Sequence, residues 1–167
     1  MSHRVHELVA ALELAPHPEG GWYRECFRSE RAVDPLDGRP RRSALTGVYF
    51  LLAAGQHSAW HRVESDEIWS WIEGGAVRLH SFDPDAGRVT TSLLGRLGDG
   101  CEPVRIVPAG VWQAAEPAEE YALTSCAVGP GFDFADFRLI GADAAVRTRL
   151  EAVRPDLLRL AVTPGGA

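Results

Sequence analysis

Two short segments hold the side chains best suited to chemistry. The first runs from Gly55 to Gly74 and contains His61, Val63, Glu67, Trp69 and Trp71. Alternate residues of a strand share a face, so His61 and Val63 point one way, and beyond the Glu64-Ser65-Asp66 turn Glu67, Trp69 and Trp71 form a second same-face set. If the two strands are neighbours, an imidazole and a carboxylate share one wall backed by two indole rings. A carboxylate beside a histidine raises its pKa toward working pH, which suits a general base with an orienting partner. The second segment, Pro108-Ala-Gly-Val-Trp-Gln113, is a turn that launches a strand on which Val111 and Gln113 share a face opposite Trp112. An amide among apolar neighbours needs partners to offset its desolvation.

A third polar group, His17, Glu19, Tyr23, Arg24 and Glu25, surrounds the Gly20-Gly21 turn. Arg24 could clamp an anion and Tyr23 could donate a proton. Alternation lets only one of the two face a pocket, and Arg24 is the candidate. The competing reading is that the group braces the N-terminal strand. Trp69 and Trp71 are candidate platforms for a cyclic ligand, although buried tryptophans more often build core. The segment Gly129-Pro-Gly-Phe-Asp-Phe134 reads as a structural turn that packs Phe132 or Phe134, and His57 and His80 as peripheral.

The elements that must position these groups are mostly short strands. Segments near Trp22–Ser29, Leu45–Leu52, Ser58–Val63, Glu67–Ile72, Ala76–Phe82, Thr90–Leu94, Val104–Val107, Val111–Ala114, Tyr121–Val128 and Phe137–Leu139 are β-prone and separated by Gly and Pro turns. That spacing predicts a sandwich or a barrel. Val5, Leu8, Val9 and Leu12 follow helical spacing, which predicts an N-terminal helix over about 3–14 with Ser2 as its cap. Asp143 and the stripe Val146, Leu150 and Val153 predict a second helix over about 143–153, stopped at Arg154-Pro155. With no linker or repeat, residues 1–167 are expected to form one domain whose barrel spans about 16–140.

Composition excludes several classes. The chain has 167 residues and a formal net charge of −6. Without a clustered basic excess, a nucleic-acid partner is not expected. No apolar run is long enough for a membrane helix, and the first ten residues lack the apolar stretch of a signal peptide, so a cytoplasmic protein with no membrane partner is expected. All 17 basic residues are arginine. That removes lysine Schiff bases, lysine-bound pyridoxal phosphate and Walker-A loops. Cys26, Cys101 and Cys126 are far apart and form no CxxC pair, which argues against a disulfide framework or thiolate zinc site.

Gly55, His61, Glu67 and Gly74 fall in register with the first motif of the cupin superfamily, and Pro108-Ala-Gly110 with the later one. Pro16-His-Pro-Glu-Gly-Gly-Trp-Tyr-Arg-Glu25, Trp60-His-Arg-Val63, Ser65-Asp-Glu-Ile-Trp69, Val107 to Gln113 and Gly129 to Phe137 resemble the small single-domain cupin family of uncharacterised function. The resemblance implies an all-β fold, a double-stranded β-helix (jelly-roll barrel) with short terminal helices, a ligand pocket inside it and a homodimer. The superfamily's metal set is three histidines and one glutamate. Here Val63 stands for the second histidine and Gln113 for the third. A divalent metal would therefore be held weakly, by His61, Glu67 and the Gln113 carbonyl, and the residues favour a metal-free pair.

The expected function is binding of a small polar, carbohydrate-like molecule in the lumen. If the protein is an enzyme, the expected reaction is of the isomerase or epimerase type. In that scheme His61 is the base, Glu67 orients it, Gln113 and the Trp69 and Trp71 rings bind substrate, and Arg24 supplies a counter-charge. The alternatives are a metal-dependent, oxygenase-like enzyme using His61, Glu67 and Gln113, and a non-catalytic binding or sensing module.

Overall fold

The computed structural model describes residues 2–162. In chain order the elements are α1 (His3–Ala11), β1 (Ala15–Pro16), β2 (Trp22–Arg28), β3 (Ala32–Val33), β4 (Arg42–Ser43), β5 (Thr46–Ala53), β6 (Ser58–Val63), β7 (Asp66–Gly74), β8 (Val77–Asp83), β9 (Arg88–Leu94), β10 (Cys101–Glu102), β11 (Val104–Val107), β12 (Trp112–Pro117), β13 (Tyr121–Gly129), β14 (Phe137–Leu139) and α2 (Ala144–Val153). Two six-stranded sheets, ordered β1-β2-β5-β13-β7-β11 and β10-β9-β8-β12-β6-β14, face each other as the expected jelly roll. Each of the ten predicted strands is present, with β7, β9 and β12 longer than the pattern suggested.

Three apolar clusters hold the layers. Between the sheets lie Phe50, Leu52, Trp69, Leu79, Leu94 and their neighbours. Strand alternation sends the other face of each sheet outward, where a helix covers it. On the first sheet, Val5 and Leu8 of α1 pack on Leu51, Ala53 and Leu123. Ser2 caps α1 as expected, accepting from the Val5 N–H, and the helix ends at Ala11 rather than near 14 because Glu13 adopts positive φ. On the second sheet, Trp60, Phe82 and Trp112 are buried beneath Leu150 of α2 and Leu157 and Leu160. Asp143 caps α2 through the Val146 N–H. The α-helix stops at Arg154-Pro155 as expected, and the chain continues as a 3-10 turn over Pro155–Ala161.

Two β-bulges decide which side chains enter the barrel. Opposite β5, the register of β2 shifts between Glu25 and Phe27. Opposite β12, that of β6 shifts between Ser58 and His61. A bulge inserts one residue and reverses the in-out alternation beyond it.

Candidate functional site

The space between the sheets opens into a cavity of about 340 Å³. Its floor is made by buried side chains, among them Glu19, His61, Glu67, Trp69 and Cys126. Its mouth is ringed by exposed ones, Glu25, Arg28, Asp133 and Phe134.

Glu19 reaches the floor because the segment before β2 folds back on itself. The His17 N–H donates to the Gly21 carbonyl, and the Gly20 N–H to the His17 carbonyl. Gly21 has φ +71°, and a Cβ there would lie 2.8 Å from the Leu51 carbonyl oxygen, so only glycine lets the turn sit this close to β5. The Ala59 N–H then donates to the Glu19 carbonyl and ties the turn to β6. The β6 bulge lets Ser58 and His61 both face inward, although three residues apart. Ser58 donates to Glu19 Oε1 at 2.8 Å. His61 Nδ1 is 2.8 Å from the Ala59 carbonyl oxygen, an acceptor only, so the proton is on Nδ1 and the Nε2 lone pair is free. That Nε2 lies 3.5 Å from Glu19 Oε2, and His17 Nδ1 lies 3.4 Å from the same oxygen.

Across the floor, one chain of donors fixes Glu67. Trp69 Nε1–H donates to Gln113 Oε1 at 3.1 Å, and Gln113 Nε2 donates to Glu67 Oε2 at 2.6 Å. An indole N–H can only donate, so the orientation of the amide is set.

Burial governs the charges here. It raises the Glu19 carboxyl to about 8, with the Ser58 hydrogen bond opposing only in part. Glu67 is raised too, by burial first, with the attraction of His61 opposing and Glu19 adding to the rise. His17 falls to about 4 through burial and then the proximity of His61. Burial lowers His61 despite the attraction of Glu67. Near neutral pH the floor therefore holds a protonated carboxylic acid facing neutral imidazoles. The His61–Glu19 contact is an uncharged one, not an ion pair.

Residues 6–140 match the family described as Cupin superfamily (DUF985). The chain is a cupin. A hypothetical protein from Leishmania major is 32% identical, with TM-score 0.78 and 90% of this chain aligned to 92% of that one. A crystal structure from Shewanella oneidensis is 34% identical, with TM-score 0.76 and coverage of 94% and 92%. A variant of Bacillus subtilis oxalate decarboxylase shares the fold at 19% identity and TM-score 0.57, this cupin spanning 37% of its chain. A search of curated proteins found no match.

The residues of this cupin do not fit the metal set of the superfamily. Val63 lines the cavity with an apolar side chain. Gln113 turns its carbonyl oxygen to Trp69 and its amide nitrogen to Glu67, so it offers the cavity no lone pair. Among the described residues no three His, Cys, Asp or Glu side chains are grouped as a metal site.

The structure brings His61, Glu67 and Trp69 to the cavity wall as expected from alternation, and it moves three other candidates elsewhere. Gln113 stands behind the wall as a brace. Trp71 packs on the inter-sheet core farther along β7 and donates its indole N–H to the Gly75 carbonyl. Arg24 points away from the lumen, with Nη1 3.4 Å from Glu13 and its guanidinium over the Tyr49 ring. Tyr23 and Glu25 take the inward positions of β2. The bulge at Cys26 then sends Arg28, not Phe27, to the cavity. Glu19 rather than Glu67 is the carboxyl in contact with His61. The signal for Glu19 and His17 was their place in a polar, glycine-rich turn, which a strand-by-strand reading treats as bracing.

Proposed function

We propose that this cupin binds a small molecule in its lumen and moves a proton on it, as an isomerase or epimerase does. The observation that carries the proposal is the acid–base pair: a buried, protonated Glu19 and a neutral His61 with a free Nε2, 3.5 Å apart on one wall of the cavity. The volume lies at the lower end of the range for small-molecule pockets. Phe50 and Trp69 supply apolar lining for the ring or carbon skeleton of the ligand.

In the proposed reaction His61 Nε2 removes the proton from a carbon beside a carbonyl. The electron pair of that C–H bond forms the C=C bond of an enol, and the Glu19 O–H protonates the carbonyl oxygen. Return of the proton from His61 to the former carbonyl carbon, with the Glu19 carboxylate taking the proton of the neighbouring hydroxyl, gives the isomer. Return to the original carbon on the opposite face, with Glu19 taking back the enol proton, gives the epimer, and no co-reactant is consumed. Glu67, fixed by Gln113 and Trp69, is a positioning residue that holds the cation formed on His61.

The test is deuterium incorporation beside the carbonyl when a panel of aldoses and hydroxyketones is incubated with the protein in D2O. Glu19→Gln and His61→Ala should each slow incorporation by about 10²–10⁴-fold. Incorporation that is unchanged in both variants would sink the proposal. If the panel binds without exchange, the non-catalytic binding module becomes the better reading.

The homodimer is also a proposal. Ile68 and Ile106 lie opposite each other on β7 and the edge strand β11, exposed by 42% and 64%, with Ile72 and Val104 beside them. An edge strand has unpaired backbone groups, and two copies can pair such an edge about a twofold axis. Ile106→Asp should shift the light-scattering mass from dimer to monomer with little change in the far-UV spectrum.

A further inference from the structure

The mouth of the cavity bears on the charge of the ligand, given the proposed lumen binding. Arg28 is the single arginine on a lining that also carries Glu19, Glu25, Glu67 and Asp133. Its guanidinium is already engaged. Nε donates to Glu25 Oε1 at 2.9 Å, and Nη2 donates to Glu25 Oε2 at 2.7 Å and to the Phe132 carbonyl at 3.2 Å. Only Nη1 is left, on a pair whose net charge is zero, and Asp133 adds a negative charge beside it. Deeper in, His17 and His61 are uncharged.

We infer that the ligand is not an anion: the cavity takes an unphosphorylated, carboxylate-free hydroxy-carbonyl compound, and the Glu25–Arg28–Asp133 mouth is the element that rejects phosphates and carboxylates. Phosphate sites present free guanidinium or ammonium groups, or backbone N–H groups at a helix N-terminus. This lumen presents neither. An anion entering it meets carboxylates at the mouth and, on the floor, the His61 Nε2 lone pair and the Glu67 carboxyl, with no cation to balance its charge. The hydroxyls of a neutral ligand can instead donate to His61 Nε2 and to the Glu67 carboxyl. Glu25 thus has two jobs, holding Arg28 in place and cancelling its charge.

The experiment compares glucose, glucose 6-phosphate and inorganic phosphate on wild type and Glu25→Gln. Affinity is measured by calorimetry, in about 0.15 M salt to screen the overall charge of the chain. The shift of the Trp69 indole N–H signal reports whether binding is in the cavity. Wild type should bind glucose 6-phosphate at least about tenfold more weakly than glucose, and inorganic phosphate not at all. Glu25→Gln frees the guanidinium and should gain phosphate binding by about tenfold or more, a gain that a misfolded variant cannot give. Wild type that binds the phosphorylated sugar as well as the neutral one would overturn the inference, as would a Glu25→Gln variant with no gain for either phosphate. If glucose fails to bind while the variant gains inorganic phosphate, the charge filter stands and the sugar-like ligand of the proposed function falls.

Discussion

Glu19→Gln should free the protein from a loss of stability that wild type suffers as pH rises toward 8. The Glu19 carboxyl titrates at about 8 in the folded chain against 4.5 as its ordinary value. A group whose folded pKa is raised contributes stability that is fully present below the unfolded value. That contribution is lost as pH climbs through the folded value, because the unfolded chain ionises first. The full span corresponds to roughly 5 kcal/mol, and Glu67 acts in the same direction. His17, at about 4 against 6.5, works the other way: its contribution is present above 6.5 and lost as pH falls toward 4. Burial of His61 adds to that acid limb. Below 6.5 the two effects oppose each other. Between 6.5 and 8 the Glu19 effect is unopposed, and wild type should lose roughly 2 kcal/mol there. Gln keeps the acceptor that Ser58 uses and has no proton to lose. Urea unfolding at the two ends of that interval checks it: the variant should be clearly shallower than wild type, keeping only the part of the slope that Glu67 supplies, and should exceed wild type at the alkaline end. A slope as steep as that of wild type would mean that Glu19 is already ionised in the folded protein, and the acid of the proposed reaction would have to be found elsewhere.

The same residue shows where a linear reading of the chain loses the site. Alternation recovers the ten longer strands of the two sheets and misses the two-residue β1 and β10, and it aims His61, Glu67 and Trp69 inward, where they line the cavity. Alternation is a statement about regular strands, and the decisive side chains here lie where the strands are irregular. The Cys26 bulge exchanges Phe27 for Arg28 at the mouth. The β6 bulge brings Ser58 to the same side as His61. Glu19 is in no strand; it re-enters the barrel from a turn that only Gly21 permits. Gln113 was legible as a buried amide in need of partners. That its partners are Trp69 and Glu67 depends on the register between sheets, which one strand does not encode. Gly129 to Phe134 carries turn residues, and nothing in them tells that the turn folds over the cavity mouth. Arg42 and Arg39 hold it there through Asp136.

The larger effect on the fold itself is expected at Trp60, whose strand carries His61. Trp60 is fully buried on the outward face of β6, its ring against His80 and Phe82. Its Nε1–H donates to the Leu157 carbonyl at 3.1 Å. That bond joins the sheet to the 3-10 turn over Pro155–Ala161, a segment that buries Leu157 and Leu160 against the sheet. Trp60→Ala removes the ring, leaves a cavity under the turn and should cost about 3–5 kcal/mol. Trp60→Phe keeps much of the apolar area, and about 1 kcal/mol of its cost is the lost hydrogen bond. The two are separated by denaturant unfolding, with amide exchange at Leu157 to Leu160 reporting on the turn. In the alanine variant those amides should exchange far faster than the strand amides of β12. Trp60 and His61 face opposite ways, so a ring that anchors the strand from outside also fixes His61 within. Trp60→Ala should therefore weaken glucose binding in the lumen without touching it. A variant that lost several kcal/mol while binding glucose as wild type does would show that His61 is held from the inside alone, by Ala59 and Glu19.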